Sequence, residues 1–189
     1  AYEYSGECID AMTMEERMTI CNMSIEGGAR IGYINPDQTT FDYIKGREYA
    51  PSDANFDKAI EYWSSISSDA DAQYDDEYHL DASTLEPMVT WGINPGQALG
   101  ISKTLPKTET LDESESQTAK EAYAHMQLVE GAPISGTKID VAFIGSCTNG
   151  RLSDLEEAAN ILKGKQVSDS VQTIIVPGSQ QVKKAAEEK

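Results

Sequence analysis

Two apolar runs, "KIDVAFIG" at residues 138–145 and "VQTIIVPG" at 171–178, constrain this chain more than any other feature. Both are rich in β-branched residues and lack polar alternation, the pattern of strands covered on both faces. Between them "SDLEEAANILKG" reads as a helix, with Ser153 and Glu156 spaced as a capping box and Gly164 as its stop. A second helix start follows at Ser179. Strand, helix, strand, helix in this order closes as a parallel pair with a right-handed crossover. The expected class is therefore α/β, with a mostly parallel sheet in the second half. That topology delivers "FIGSCTNGR", residues 143–151, to the carboxyl end of a strand. In open α/β sheets loops converge there and ligands bind.

The first half is less regular. Thr13 and Glu16 form a capping box, and Met14, Met18, Cys21 and Ile25 then share one helical face that ends near Gly27 and Gly28. On an adjoining face Asn22 and Glu26 stand four apart, the spacing of neighbours on a helix. A turn at Asn35 and Pro36 precedes a short helix around Phe41 to Lys45, and "NFDKAIEYWSSI" predicts a helix capped by Asn55. Two strand candidates follow, "EYHLDA" and "PMVTWG". A stretch rich in Pro, Gly, Thr and charge comes next and predicts a linker over 98–118, separating a domain at 1–97 from another at 119–189.

Composition narrows the function. The net charge of −17, from 32 acidic against 15 basic residues, repels nucleic acid and anionic membranes. No apolar stretch approaches the roughly 20 residues a membrane span needs, and the first residues carry no signal-peptide pattern. Three widely spaced cysteines, Cys8, Cys21 and Cys147, argue against a disulfide framework and for a reducing compartment, the cytoplasm.

Cys147 is placed for chemistry by topology. As a buried thiol it would sit better within the strand, at Ala142 or Ile144. As a nucleophile it would need a base, and the chain has two histidines, His79 in a candidate strand and His125 on a candidate helix. Zinc ligation lacks the required spacing. Iron–sulfur ligation tolerates cysteines from distant loops. A redox-active thiol in a generic α/β domain and a cluster-free binding module are further alternatives.

Here the sequence resembles a known family. "FIGSCTNGR", "LSDLEEAANILKGKQV" and "IIVPGS" look like the first cluster-ligand segment of the aconitase family. "RMTICNMSIEGGARIGYINPDQTTFDYIKGR" looks like its other central signature, and "VTWGINPGQ" points to the branch with separate large and small subunits that acts on isopropylmalate. The resemblance implies a three-layer αβα iron–sulfur domain and a [4Fe-4S] cluster held by three cysteines, whose open iron polarises the leaving hydroxyl. It implies a hydro-lyase interconverting 2-isopropylmalate and 3-isopropylmalate in leucine biosynthesis, with homoaconitate hydratase as the alternative. Carried over by position, Cys147 matches the first cluster ligand, Asn149 shapes its loop, Asn22 lies near the cluster, and Glu26 bonds the iron-bound water or hydroxyl. The remaining cysteines are expected in a CxxC segment beyond Lys189, the histidine and aspartate groups before Ala1, and the serine base on a small-subunit partner. Cys8 and Cys21 are then structural. The expectation is an internal piece of a large subunit that alone holds no stable cluster and is inactive.

Overall fold

The computed structural model describes residues 1–189. By internal contacts the chain forms two compact units, one of Ala1–Glu77 with Val141–Lys189, the other of Tyr78–Asp140.

In the first unit β1 (Tyr2–Glu3) pairs in parallel with β2 (Gly32–Tyr33), and α1 (Glu7–Asp10) and α2 (Met14–Met23) lie between them in sequence. The predicted capping box is present: the Glu16 amide donates to Thr13 Oγ1 at 3.3 Å, and the Thr13 amide donates to the Glu16 carboxylate at 2.8 Å. Met14, Met18 and Cys21 face one apolar groove with Tyr33, Ile44 and Trp63, as their spacing predicts. Ile25 does not join them and is 56% exposed, because α2 ends at Met23 and the chain turns.

Next come α3 (Gln38–Ile44) and α4 (Asp53–Ser65). The cap of α4 is Ser52, three residues before the expected Asn55. Trp63 of α4 stacks on Phe41 of α3 at 6.1 Å and meets Phe56 edge-on at 5.9 Å, and both phenylalanines are buried.

The second unit has β3 (Met88–Thr90) antiparallel to β4 (Ala98–Gly100), then α5 (Glu113–Met126). "EYHLDA" forms no strand. His79 in it is exposed, and Asp81 instead caps a 3-10 turn at Ala82–Thr84 by accepting the Ser83 amide at 3.0 Å. Residues 98–118, expected as a linker, lie wholly within this unit. Leu105 is 2% exposed, its amide donates to the Ala132 carbonyl and its own carbonyl accepts from Gly131. It joins Trp91, Ala119, Ala122 and Tyr123 in one core, where the two large rings stack at 4.9 Å. Proline and glycine in this stretch mark turns around a buried leucine, so the contacts do not divide the chain at 97 or 118.

The chain then returns to the first unit with β5 (Val141–Gly145), α6 (Leu152–Leu162), β6 (Gln172–Val176) and α7 (Gln180–Glu187). β5 and β6 are parallel, with Val141 opposite Gln172 and Gly145 opposite Val176, as the element order predicts. Their burial differs from expectation. Val141, Phe143 and Ile174 share one face and are 51%, 57% and 37% exposed, whereas Ala142 and Ile144 on the other are partly covered. Ile175, opposite Ile144 on that second face, is 55% exposed, so this chain fully covers neither apolar face.

Arg17 shows how the first unit is tied together. It is 2% exposed, and its Nη1 meets Asp37 Oδ1 at 2.7 Å while Nη2 donates to the Asp10 carbonyl at 3.0 Å. The same Asp37 oxygen caps α3 by accepting the Thr40 amide at 3.1 Å. The hydrogen bond from Arg17 holds the Asp37 carboxyl below its ordinary range against the opposing effect of burial, and the pairing raises Arg17 in turn. A depressed carboxyl stabilises the fold above its unfolded-state pKa, and that contribution disappears as pH falls through the folded value. Asp37→Asn keeps a capping side chain and removes the charge, so it should lower stability near neutral pH by about 1–3 kcal/mol. Urea unfolding across the acid range should show a flatter decline below about pH 4 for the variant than for the parent chain.

Candidate functional site

The site begins where β5 stops. Gly145 has φ +104°, and a Cβ there would stand 2.2 Å from the Val176 carbonyl oxygen, so the position requires glycine. Ser146 follows at φ +95°, a conformation that costs a side-chain-bearing residue of order 1–3 kcal/mol. Its amide donates to the Val176 carbonyl at 2.9 Å, which continues the strand pairing through the bend.

The loop closes at Gly150, whose carbonyl accepts the Gly178 amide at 2.7 Å. A Cβ on Gly150 would lie 2.1 Å from the Ser146 carbonyl oxygen. Between these two pinned ends Cys147 is exposed. It is not a buried thiol.

After the loop, α6 starts at Leu152, and the expected Ser153–Glu156 capping box does not form. Asp154 takes the role: its Oδ2 accepts the Arg151 amide at 2.9 Å, and its Oδ1 accepts from Asn149 Nδ2 at 3.3 Å. The helix starts two residues earlier than the Ser153 reading requires, which puts aspartate at its third position.

The same loop reaches α2. Asn149 Nδ2 also donates to Thr19 Oγ1 at 3.3 Å, and Arg151 Nη1 donates to Thr19 Oγ1 at 3.2 Å and to the Glu15 carbonyl at 3.0 Å. Thr19 Oγ1 itself donates to the Glu15 carbonyl at 3.0 Å. Asn149 thus bridges Asp154 and Thr19 through its side-chain amide. Asn22 is three residues beyond Thr19, on the same side of the helix, and is exposed. Glu26 is exposed too, but it lies past the end of α2, in a turn where its amide bonds the Met23 carbonyl. The four-residue helical spacing read for Asn22 and Glu26 thus holds only to the helix end.

A family profile described as Aconitase family (aconitate hydratase) matches residues 1–189. The chain belongs to the aconitase family. Among similar proteins are those named "3-isopropylmalate dehydratase large subunit" from Rippkaea orientalis, 62% identical over 187 residues, and Gloeothece citriformis, 59% identical over 187 residues. A third, of the same name, comes from Synechocystis sp. and is 59% identical. Each match covers 99% of this chain and 40% of the relative, so the chain spans about two fifths of those proteins.

The aconitase family implies a [4Fe-4S] cluster, and the thiols present here do not by themselves fit one. Cys147 is the one cysteine on the loop. Cys8 is exposed on α1, and Cys21 faces the groove beside β2, where burial pushes its thiol pKa up and disfavours the thiolate. No three side chains of His, Cys, Asp or Glu come together to hold a metal ion. An exposed Cys8 also leaves its structural role without a packing basis. His125 is exposed in the last turn of α5. No helix is long and apolar enough to cross a membrane.

Thr19, Arg151 and Asp154 were not among the residues expected at the site. The signal for two of them was present in "NGRLSD", where aspartate stands three residues after Arg151, the spacing by which a side chain caps a helix start. Gly145→Ala should destabilise the chain by about 2–4 kcal/mol through positive φ and backbone overlap together. Gly164→Ala, also at positive φ but with nothing within 4 Å of its Cβ, should lose about 1 kcal/mol. Urea midpoints of the two variants compare the effects.

Proposed function

We propose that this chain is the part of a hydro-lyase large subunit that presents one cluster thiolate, Cys147, beside the helix carrying Asn22. The full protein interconverts 2-isopropylmalate and 3-isopropylmalate by dehydration and rehydration in leucine biosynthesis. The observation that carries this reading is the set of hydrogen bonds docking the Cys147 loop on α2, made by residues of two family signatures. The name shared by relatives about 60% identical supports the substrate.

In this reading Cys147 supplies one ligand of a [4Fe-4S] cluster, and the others come from elsewhere in the full protein. Asn22 offers an amide to substrate or water, Glu26 offers a carboxylate to the hydroxyl that is lost and regained, and Asn149 holds the loop. β5 and β6 belong to a three-layer αβα domain of the aconitase iron–sulfur fold. The large subunit works as a heterodimer with a small subunit, in the cytoplasm. Homoaconitate is the competing substrate, since the separate subunits of this branch leave substrate choice to the partner.

The test has two arms. Anaerobic incubation of the 189-residue chain with iron and sulfide should give no stoichiometric visible charge-transfer absorbance, because one thiolate is too few; a stable chromophore would overturn the ligand assignment. In a subunit of the relatives' full length, paired with its small subunit, Glu26→Gln should lower kcat for 2-isopropylmalate about 10²–10⁴-fold, the range for loss of an acid–base group. Faster turnover of homoaconitate by the unsubstituted pair would shift the substrate to the alternative.

A further inference from the structure

We propose that Thr19 and Arg151 are positioning residues that fix the Cys147 loop against the α2 face bearing Asn22, with the Thr19 hydroxyl as the shared joint. Its meaning for catalysis rests on the function proposed above; the joint itself rests on the geometry alone.

Thr19 Oγ1 is used to capacity. It donates its proton to the Glu15 carbonyl and accepts from both Asn149 Nδ2 and Arg151 Nη1. Two donors from one loop thus converge on one oxygen of a helix 130 residues away in the chain. Arg151 also holds the Glu15 carbonyl directly, so the guanidinium spans one turn of α2.

The far side of the loop is equally tied. Asp154 receives Asn149 on one oxygen and the Arg151 amide on the other. Helix, loop and following helix therefore share one polar chain: Glu15 carbonyl, Thr19, Asn149 with Arg151, and Asp154. Cys147 lies two residues before Asn149, between Ser146 and Gly150, whose backbones are pinned to β6 and its continuation. Releasing Thr19 frees the outer side of the loop while leaving that inner side bound.

A threonine that merely stabilised its helix would behave differently from a joint. A mid-helix hydroxyl bonded to the carbonyl four residues back is neutral to slightly unfavourable for the helix, so its loss alone predicts no weakening of α2.

Hydrogen exchange on the 189-residue chain separates the two roles, read at residues 146–151 with α7 as internal reference. Thr19→Val keeps the shape and removes the hydroxyl; Arg151→Met removes the guanidinium. Each should speed exchange in 146–151 roughly three- to tenfold, the loss of about one hydrogen bond, with α7 unchanged. The double variant should exceed neither single one by much, because both break the same joint. Thr19→Ser restores the hydroxyl and should restore slow exchange. Unchanged exchange in the Val variant, no rescue by Ser, or an equal rise in α7 would each overturn the proposal. In the assembled subunit pair Thr19→Val should lower kcat for 2-isopropylmalate several-fold with KM within about twofold, and Thr19→Ser should recover it. If the unsubstituted pair turns over no isopropylmalate, that result overturns the function reading and leaves the exchange data to decide the joint.

Discussion

Gly150 and Gly178 meet backbone to backbone, with a 2.7 Å hydrogen bond and no room for a Cβ at Gly150. The environment of Cys147 depends on that approach. It brings the segment after β5 and the segment after β6 together at the carboxyl end of the parallel pair. The four residues between Gly145 and Gly150 must then arch outward, and Cys147 is carried to the surface by the arch. Positive φ at Gly145 and Ser146 is the conformational consequence of bending so sharply while the Ser146 amide still pairs with Val176. Local strain is tolerated because the strand pairing and the glycine contact fix both ends of the bend.

Electrostatics act on this arch from the other side. The chain has 15 basic residues against 32 acidic ones, and two of its arginines are turned inward. Arg17 joins Asp37 and the Asp10 carbonyl under α2, and Arg151 joins Thr19 and the Glu15 carbonyl on it. Both serve as cross-links between segments distant in sequence, which the planar, multi-donor guanidinium suits better than lysine. Their use inside the unit leaves the surface more acidic still. Any anion would have to be held against that field, by donors placed locally.

The legible parts of the fold were those fixed by local pattern. Element order in the second half required a parallel pair, and it exists in the register described. The Thr13 box and the apolar face of α2 followed from spacing. The misreadings share another cause. Whether 98–118 links or packs depends on Leu105 meeting Tyr123 and Ala119, contacts that turn residues do not disclose. The start of α6 was displaced because Ser153 and Asp154 both suit a helix start, and the pull of Asn149 and Arg151 on Asp154 decides between them. The exposure of β5 and β6 is hidden for a related reason: an apolar run states what a strand can bury, not what is present to bury it. At the candidate site, topology and signature single out Cys147 and Asn149. They do not single out Thr19, since a lone threonine on a helix carries no signal until the loop reaches it.

A loop that leaves its thiol exposed cannot be held rigid by apolar burial, and the loop of Cys147 is fixed by polar contacts at partly exposed positions. Single hydrogen bonds of this kind contribute about 1 kcal/mol each, too little to hold a loop if they broke independently. Convergence on shared atoms changes that arithmetic. Asn149 and Arg151 meet on Thr19 Oγ1, and both also meet on Asp154, so moving either one strains the partners of the other. The chain thereby obtains cooperativity from four side chains without covering the thiol.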